Sequence, residues 1–136
     1  MTNSSPLTAA PATPTAPQRG TVLFAHGSRD PLWRKPMEAV AERVAQMAPA
    51  EPVRCAYLEL TTPDLPTSVA ELVALGATDI AVVPLFLGVG KHAREDLPLL
   101  MQDLRSNHPQ VRFDLKPAVG EDPQMIELLA QLALAR

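Results

Sequence analysis

From Thr21 onward the chain alternates short apolar runs with longer stretches in which apolar residues recur every three or four positions. That alternation constrains the fold more than any other feature, because repeated strand-then-helix units build a parallel sheet with helices laid over it. Four units can be read. Strand one, Thr21–Ala25, is apolar on both faces, as a central parallel strand should be. Its helix follows Asp30-Pro31 with Trp33, Met37, Val40, Val44 and Met47 on one stripe, and Pro36 kinks or separates the first turn. Strand two spans about Val53–Leu60 and leads through TTPDLP into a helix that carries Val69, Leu72, Val73 and Leu75 and ends at Gly76. Strand three, Ile80–Leu85, is again apolar on both faces, and helix three, from about His92 to Arg105, turns Ala93, Leu97, Leu100, Met101 and Leu104 inward. In strand four Val111, Phe113 and Leu115 alternate with Arg112, Asp114 and Lys116, the pattern of a half-exposed edge. Asp122-Pro123 opens a last helix with Met125, Ile126, Leu129 and Leu132 inward.

Two central strands and an edge strand four predict an α/β domain of three layers, α/β/α, around a four-stranded parallel sheet. Its flavodoxin-like order is 2-1-3-4, with right-handed crossovers. The domain occupies residues 20–136. Residues 1–19, in which Pro6, Pro11, Pro14 and Pro17 sit among Ser, Thr and Ala, offer no face to bury and read as a disordered tail. A chain of 136 residues suffices for one core. A net charge of -3 with only 4% aromatic residues argues against a nucleic-acid partner. The longest apolar run, Ile80 to Gly90, is too short to span a membrane. No basic, then apolar leader opens the sequence, so a cytoplasmic location is expected. The lone Cys55 forms neither an internal disulfide nor a cysteine zinc cluster.

In open parallel sheets ligands bind beyond the carboxyl ends of the strands, where the winding reverses, here between strands one and three. The residues that follow those ends are His26 after strand one, Glu59 at the end of strand two, and His92 in the turn after strand three. Each alone has an ordinary structural use; their convergence on one rim is the signal. Two imidazoles and a carboxylate suit a divalent transition metal, with open positions left for a substrate. Arg29, Arg34, Lys35, Lys91 and Arg94 attend the same two loops. Solvated helix starts account for them as well, yet cations at helix N-termini oppose the dipole, and an anionic ligand would explain their placement. Ser28 lies in the first loop, and Gly88 and Gly90 let the backbone of the second approach a flat ligand. His108 lies at the opposite end of strand four and receives no role.

The runs TVLFAHGSRDPLW, AYLEL and VVPLFLGVGKHAREDLP, in this order and spacing, resemble the small, single-unit sirohydrochlorin chelatases of the class II chelatases. The resemblance covers Thr21 to about Asp122; the HGS loop is weakly specific, the PLFLGVGKHAREDLP segment strongly so. It implies a chelatase-like fold and insertion of cobalt (Co2+) or iron (Fe2+) into a tetrapyrrole bearing eight carboxylates, in the cobalamin or sirohaem branch, without nucleotide. There is then no prosthetic group, and the metal is a substrate. The motif histidines match His26 and His92, and the strand-end glutamate matches Glu59. These three become candidate metal ligands and catalytic residues, with Arg29, Lys91, Arg94, Ser28, Gly88 and Gly90 as candidate substrate contacts.

Two other classes fit less well. A histidine phosphatase needs an arginine just before its strand-end histidine, where this chain has Ala25. An FMN module wants a hydroxyl-rich phosphate loop, where HGSRDP offers only Ser28. A non-catalytic carrier or sensor of metal or tetrapyrrole would keep the same ligands and remains the alternative. Larger members of the resembled family carry two units in tandem, which implies that a single unit pairs with itself to enclose a wide ligand. A two-fold homodimer is expected, in which Trp33, Leu85, Phe86, Leu87 and Val89 serve as core, ligand wall or interface.

Overall fold

The computed structural model describes residues 16–136. The expected tail, residues 1–19, lies mostly outside the described residues. Strand β1 (Arg19–Ala25) is followed by α1 (Lys35–Met47), β2 (Val53–Tyr57), α2 (Leu65–Ala74), β3 (Asp79–Pro84), α3 (Lys91–Asn107), β4 (Arg112–Leu115), a 3-10 turn (Val119–Glu121) and α4 (Pro123–Leu134). The sheet is parallel throughout and its order is β2-β1-β3-β4, as the apolar patterning requires.

The main core lies on one face of this sheet. Val22, Phe24, Ala56, Ile80, Val82 and Phe113 point from the strands into Leu65, Val69 and Leu72 of α2 and Ala93, Leu97, Met101 and Leu104 of α3. Burial of these side chains drives the fold, at about 1.5–3 kcal/mol for each large aliphatic one. The opposite face is covered by α1 over β1 and β2 only.

Several expected boundaries and faces move. β1 begins at Arg19, and the Gln18 carbonyl already accepts from the N–H groups of Thr78 and Asp79. α1 begins at Lys35 with Pro36 in its first turn, where a missing N–H costs nothing; residues 31–34 form a separate turn closed by Trp33 N–H to the Asp30 carbonyl at 3.0 Å. Leu75 is exposed at the end of α2, because the helix leaves its core face before turning through Gly76. β3 was expected to be buried on both faces, but its residues alternate between half-exposed and buried. On α1, Met37 and Val44 are half-buried while Val40 and Met47 face solvent. α4 does not turn Ile126, Leu129 and Leu132 inward: among the described residues it packs closely only on the 3-10 turn before it, and none of its side chains is buried.

Candidate functional site

The carboxyl ends of β1 and β2 are held together past the end of the sheet. Leu58 N–H donates to the Ala25 carbonyl at 2.9 Å and Glu59 N–H to the His26 carbonyl at 3.0 Å, so His26 and Glu59 lie side by side. β2 itself stops at Tyr57, and Glu59 therefore sits two residues beyond the strand rather than at its end. The chain turns there because Leu60 adopts φ of +65° and Tyr57 N–H bonds forward to the Pro63 carbonyl at 2.9 Å.

Gly27 makes this approach possible. It sits at φ of +107°, and a Cβ at this position would collide with the Glu59 carbonyl oxygen. The loop is then clamped from the other side by Thr61, whose hydroxyl accepts from Ser28 N–H at 2.9 Å and donates to the Ser28 carbonyl at 2.6 Å. Ser28 Oγ accepts from Asp30 N–H at 3.1 Å, and Asp30 Oδ1 accepts from Leu32 N–H at 2.9 Å. A hydrogen-bonded chain thus runs from the Glu59 loop through Thr61 and Ser28 to the entrance of α1. Nothing in residue type or spacing distinguishes Thr61 from any other residue of a turn-rich segment.

The His26 imidazole lies on the ring of Phe86, with centroids 4.2 Å apart and planes 26° from parallel. Phe86 follows β3 and is fully buried, so it fixes one face of the imidazole while His26 itself stays exposed. This contact bridges the ends of β1 and β3, where the sheet reverses its winding direction. It also apportions the apolar residues left open by the sequence. Phe86 is core, Leu87 is exposed, Leu85 and Val89 are half-buried, and Trp33 packs 6.0 Å from Tyr57 behind the loop.

His92 is the second residue of α3 and is exposed. Gly88 and Gly90 precede it with open space where side chains would be, so packing within the chain does not call for glycine at either. Arg94 donates to the Val89 carbonyl, Lys91 reaches Glu95 at 4.0 Å, and Arg29, three residues after His26 in the chain, is exposed. Arg34 pairs with Glu38 at 3.4 Å, which gives that cation an ordinary helical role. A cavity of about 340 Å³ opens beside the same rim, walled by Pro84, Val89, Leu97 and Leu115 with Arg94 and Lys116 at its margin. His108 closes the far end of α3 with its ring 6.3 Å from Phe113.

His26, Glu59 and His92 thus share one rim. Among the described residues, however, no three side chains of His, Cys, Asp or Glu converge closely enough to hold a metal ion. Behind the rim, burial pushes the Tyr57 phenol up to about 12, reinforced by the neighbouring Cys55, so Tyr57 keeps its proton at neutral pH. Burial also raises the Cys55 thiol, whose Sγ lies 3.6 Å from the Met37 carbonyl.

Comparison with known proteins gives a consistent result. The sirohydrochlorin cobaltochelatase of Methanopyrus kandleri is 38% identical over 80 residues, which are 59% of this chain and 56% of that one. The sirohydrochlorin cobaltochelatase of Methanococcoides burtonii is 30% identical over 121 residues, 86% of this chain and 92% of that one. Among solved structures, the sirohydrochlorin chelatase SirB of Bacillus subtilis subspecies spizizenii in complex with cobalt superposes with a TM-score of 0.72 at 28% identity. The match covers 88% of this chain and 52% of SirB, and SirB has also been solved with Fe3+. The CbiX family model matches residues 20–135, which take in nearly all of the described fold, and the chain belongs to that family.

Proposed function

We propose that this protein inserts a divalent metal ion, cobalt or iron, into sirohydrochlorin without consuming nucleotide, and that it does so in the cytoplasm. The observation that carries the reading is the His26–Glu59 pairing at the reversal point of the sheet, with His26 backed by Phe86 and His92 across the rim. Relatives named as cobaltochelatases and the cobalt-bound SirB structure support the same chemistry. Among the described residues no helix is long and apolar enough to cross a membrane.

Insertion replaces two pyrrole protons by one M2+ ion: M2+ and the free macrocycle give the metallated macrocycle and two protons. The protein must therefore hold the ion, strip its water, present one face of the ring and accept protons. In this reading His26 and His92 hold the ion through neutral imidazole nitrogens. As the ion passes to the ring nitrogens His92 lets go of it and takes one pyrrole proton, the second goes to water, and Glu59 completes the metal site or relays these protons to water. Arg29, Lys91 and Arg94 meet peripheral carboxylates, and Ser28, Gly88 and Gly90 border the ring. In this reading the macrocycle nitrogens take up the coordination positions that His26, His92 and Glu59 leave open.

The deciding experiment is a visible-spectrum assay with sirohydrochlorin in large excess over the purified protein, Co2+ and no nucleotide. Conversion of many equivalents of macrocycle per chain is expected. Conversion that stops at one equivalent, or mere binding of metal, would replace the chelatase by a carrier or sensor.

A further inference from the structure

His26 is held from two directions, and one of the two holds begins in a part of the fold that carries no chemistry of its own. Its backbone is tied to the segment after β2, because its carbonyl accepts from Glu59 N–H at 3.0 Å. Its ring is tied to the end of β3 through Phe86, whose ring centroid lies 4.2 Å from that of the imidazole. Whatever fixes Phe86 therefore fixes the imidazole plane.

Phe86 has little freedom. It is 1% exposed, and its ring also meets the core ring of Phe24 at 6.0 Å with planes 55° apart. The residue before it is bonded to β1, with Leu85 N–H donating to the Phe24 carbonyl at 2.7 Å. Its own carbonyl accepts from Gly120 N–H at 2.9 Å, within the 3-10 turn Val119–Glu121. A Cβ at Gly120 would collide with the backbone of Leu87. Gly120 is not among the glycines with positive φ, so the close approach of the two backbones alone calls for glycine there. The turn is itself firm. Glu121 N–H bonds to the Ala118 carbonyl at 2.9 Å and Asp122 N–H to the Val119 carbonyl at 3.1 Å, and Ala118, which leads into the turn, is buried in the main core. A continuous line of contacts thus runs from the core through Gly120 and Phe86 to the imidazole.

We propose that the Val119–Glu121 turn is a strut for the metal site, with Gly120 and Phe86 as positioning residues that hold the His26 imidazole in the plane from which it meets the ion. The physical reason is direction. The lone pair of an imidazole nitrogen lies in the ring plane, so a ring free to turn about its side-chain bonds offers that lone pair to many directions, few of which suit an ion that must also face a macrocycle. A ring aligned beforehand spares the binding step that loss of freedom. Stacking is the restraint suited to this task, because it fixes the plane and occupies neither nitrogen. The exposed position of His26 makes the restraint necessary, since no packing around the other face of the ring would hold it. This rests on the reading of His26 as a metal ligand, and it extends the site to a turn near the far end of the domain.

The test begins with the full chain and no macrocycle. In proton NMR at one neutral pH, the His26 ring signals, identified by their absence from His26→Ala, are expected upfield of those of His92, because they lie over the face of Phe86. Phe86→Leu keeps an apolar core side chain, and Gly120→Ala forces the turn away from Leu87. Both should move the His26 signals downfield and weaken binding of Co2+ alone about 3- to 10-fold. With sirohydrochlorin present, the KM for Co2+ should rise by the same factor while the KM for the macrocycle stays unchanged. Leu72→Ala opens a cavity beside Gly20, at the opposite end of β1, and should lower stability without moving any of these readouts. Wild-type His26 signals with no upfield displacement overturn the proposal whatever the variants do. So do folded Phe86→Leu and Gly120→Ala proteins with wild-type affinity for Co2+, and so does an equal loss of affinity in Leu72→Ala. If Gly120→Ala does not fold, Phe86→Leu decides. A wild type that shows the displacement, with Co2+ binding weakened in the variants, but that converts no sirohydrochlorin would remove the chelatase reading and leave the strut in place.

Discussion

At the residue scale, the least replaceable position in the rim is Gly27. Its φ of +107° and its approach to the Glu59 carbonyl both exclude a side chain, and a non-glycine residue in such a conformation costs of order 1–3 kcal/mol. Gly27→Ala is expected to lose at least that much stability in urea denaturation, and an unchanged midpoint would show that the two loops separate freely. Thr61 supplies a finer test. Thr61→Val keeps the shape and removes both hydrogen bonds to Ser28, so cobalt insertion should slow roughly tenfold or more with a stability loss of about 1–2 kcal/mol. Thr61→Ser should restore both. Equal rates for valine and serine variants would confine Thr61 to a passive turn. That His26, Glu59 and His92 follow the carboxyl ends of β1, β2 and β3 was legible in the sequence, because a parallel sheet sends its strand-end residues to one rim; their roles are the proposal made above. Thr61 was not, since its role depends on a turn that folds back across 33 residues of sequence. The stacking of Phe86 on His26 was half-legible: the aromatic stood out after strand three, but only the β1–β3 pairing shows what it supports.

At the element scale, strand identity and order followed directly from apolar patterning, because Val22 to Ala25 must be buried on both sides and Phe113 on only one. The Gly76 end of α2 and the Asp122 start of α4 followed from turn and capping chemistry, whereas Asp30-Pro31 closes a separate turn before α1 and the Asp64 cap of α2 was not read from the sequence. Asp64 accepts from Thr67 N–H at 2.9 Å at the start of α2, and the Thr67 hydroxyl, followed by this N–H, pulls its carboxyl below the usual 3.8. A depressed carboxyl stabilises the fold fully above its unfolded pKa and loses that contribution as pH falls through the folded value. Asp64→Ala should therefore cost about 1 kcal/mol at neutral pH. The difference from wild type should shrink below about pH 3.8, as read by denaturation at the two pH values. A difference constant with pH would remove the charge from the cap. Deeper in α2, Leu72 is fully buried between the strands and its helix, and Leu72→Ala should cost about 2–5 kcal/mol through the cavity it leaves. Thermal unfolding with no shift would mean that the core collapses around the gap.

At the scale of the whole molecule, the fold reads as a scaffold with one worked edge. The main core between the sheet and α2 and α3 makes the strands rigid, and the reversal of winding then places His26 and Glu59 on loops tied together by backbone bonds and His92 in the first turn of α3. What patterning could not show was the position of α4. The spacing of Ile126, Leu129 and Leu132 specifies an amphipathic helix in any environment, whereas where that helix lies depends on the Gly120–Asp122 turn that precedes it. The same limit applied to α1, whose Val40 and Met47 are apolar yet exposed.

The central claim is that His26 and His92 carry metal insertion from this rim. The most direct measurement is the initial rate of cobalt insertion into sirohydrochlorin by wild type, His26→Ala and His92→Ala, with matched circular dichroism spectra to show that all three are folded. Both side chains are exposed and outside the core, so the variants should fold and lose at least ~100-fold in rate. Rates within about twofold of wild type in either folded variant, a difference worth only ~0.4 kcal/mol of barrier, would contradict the account.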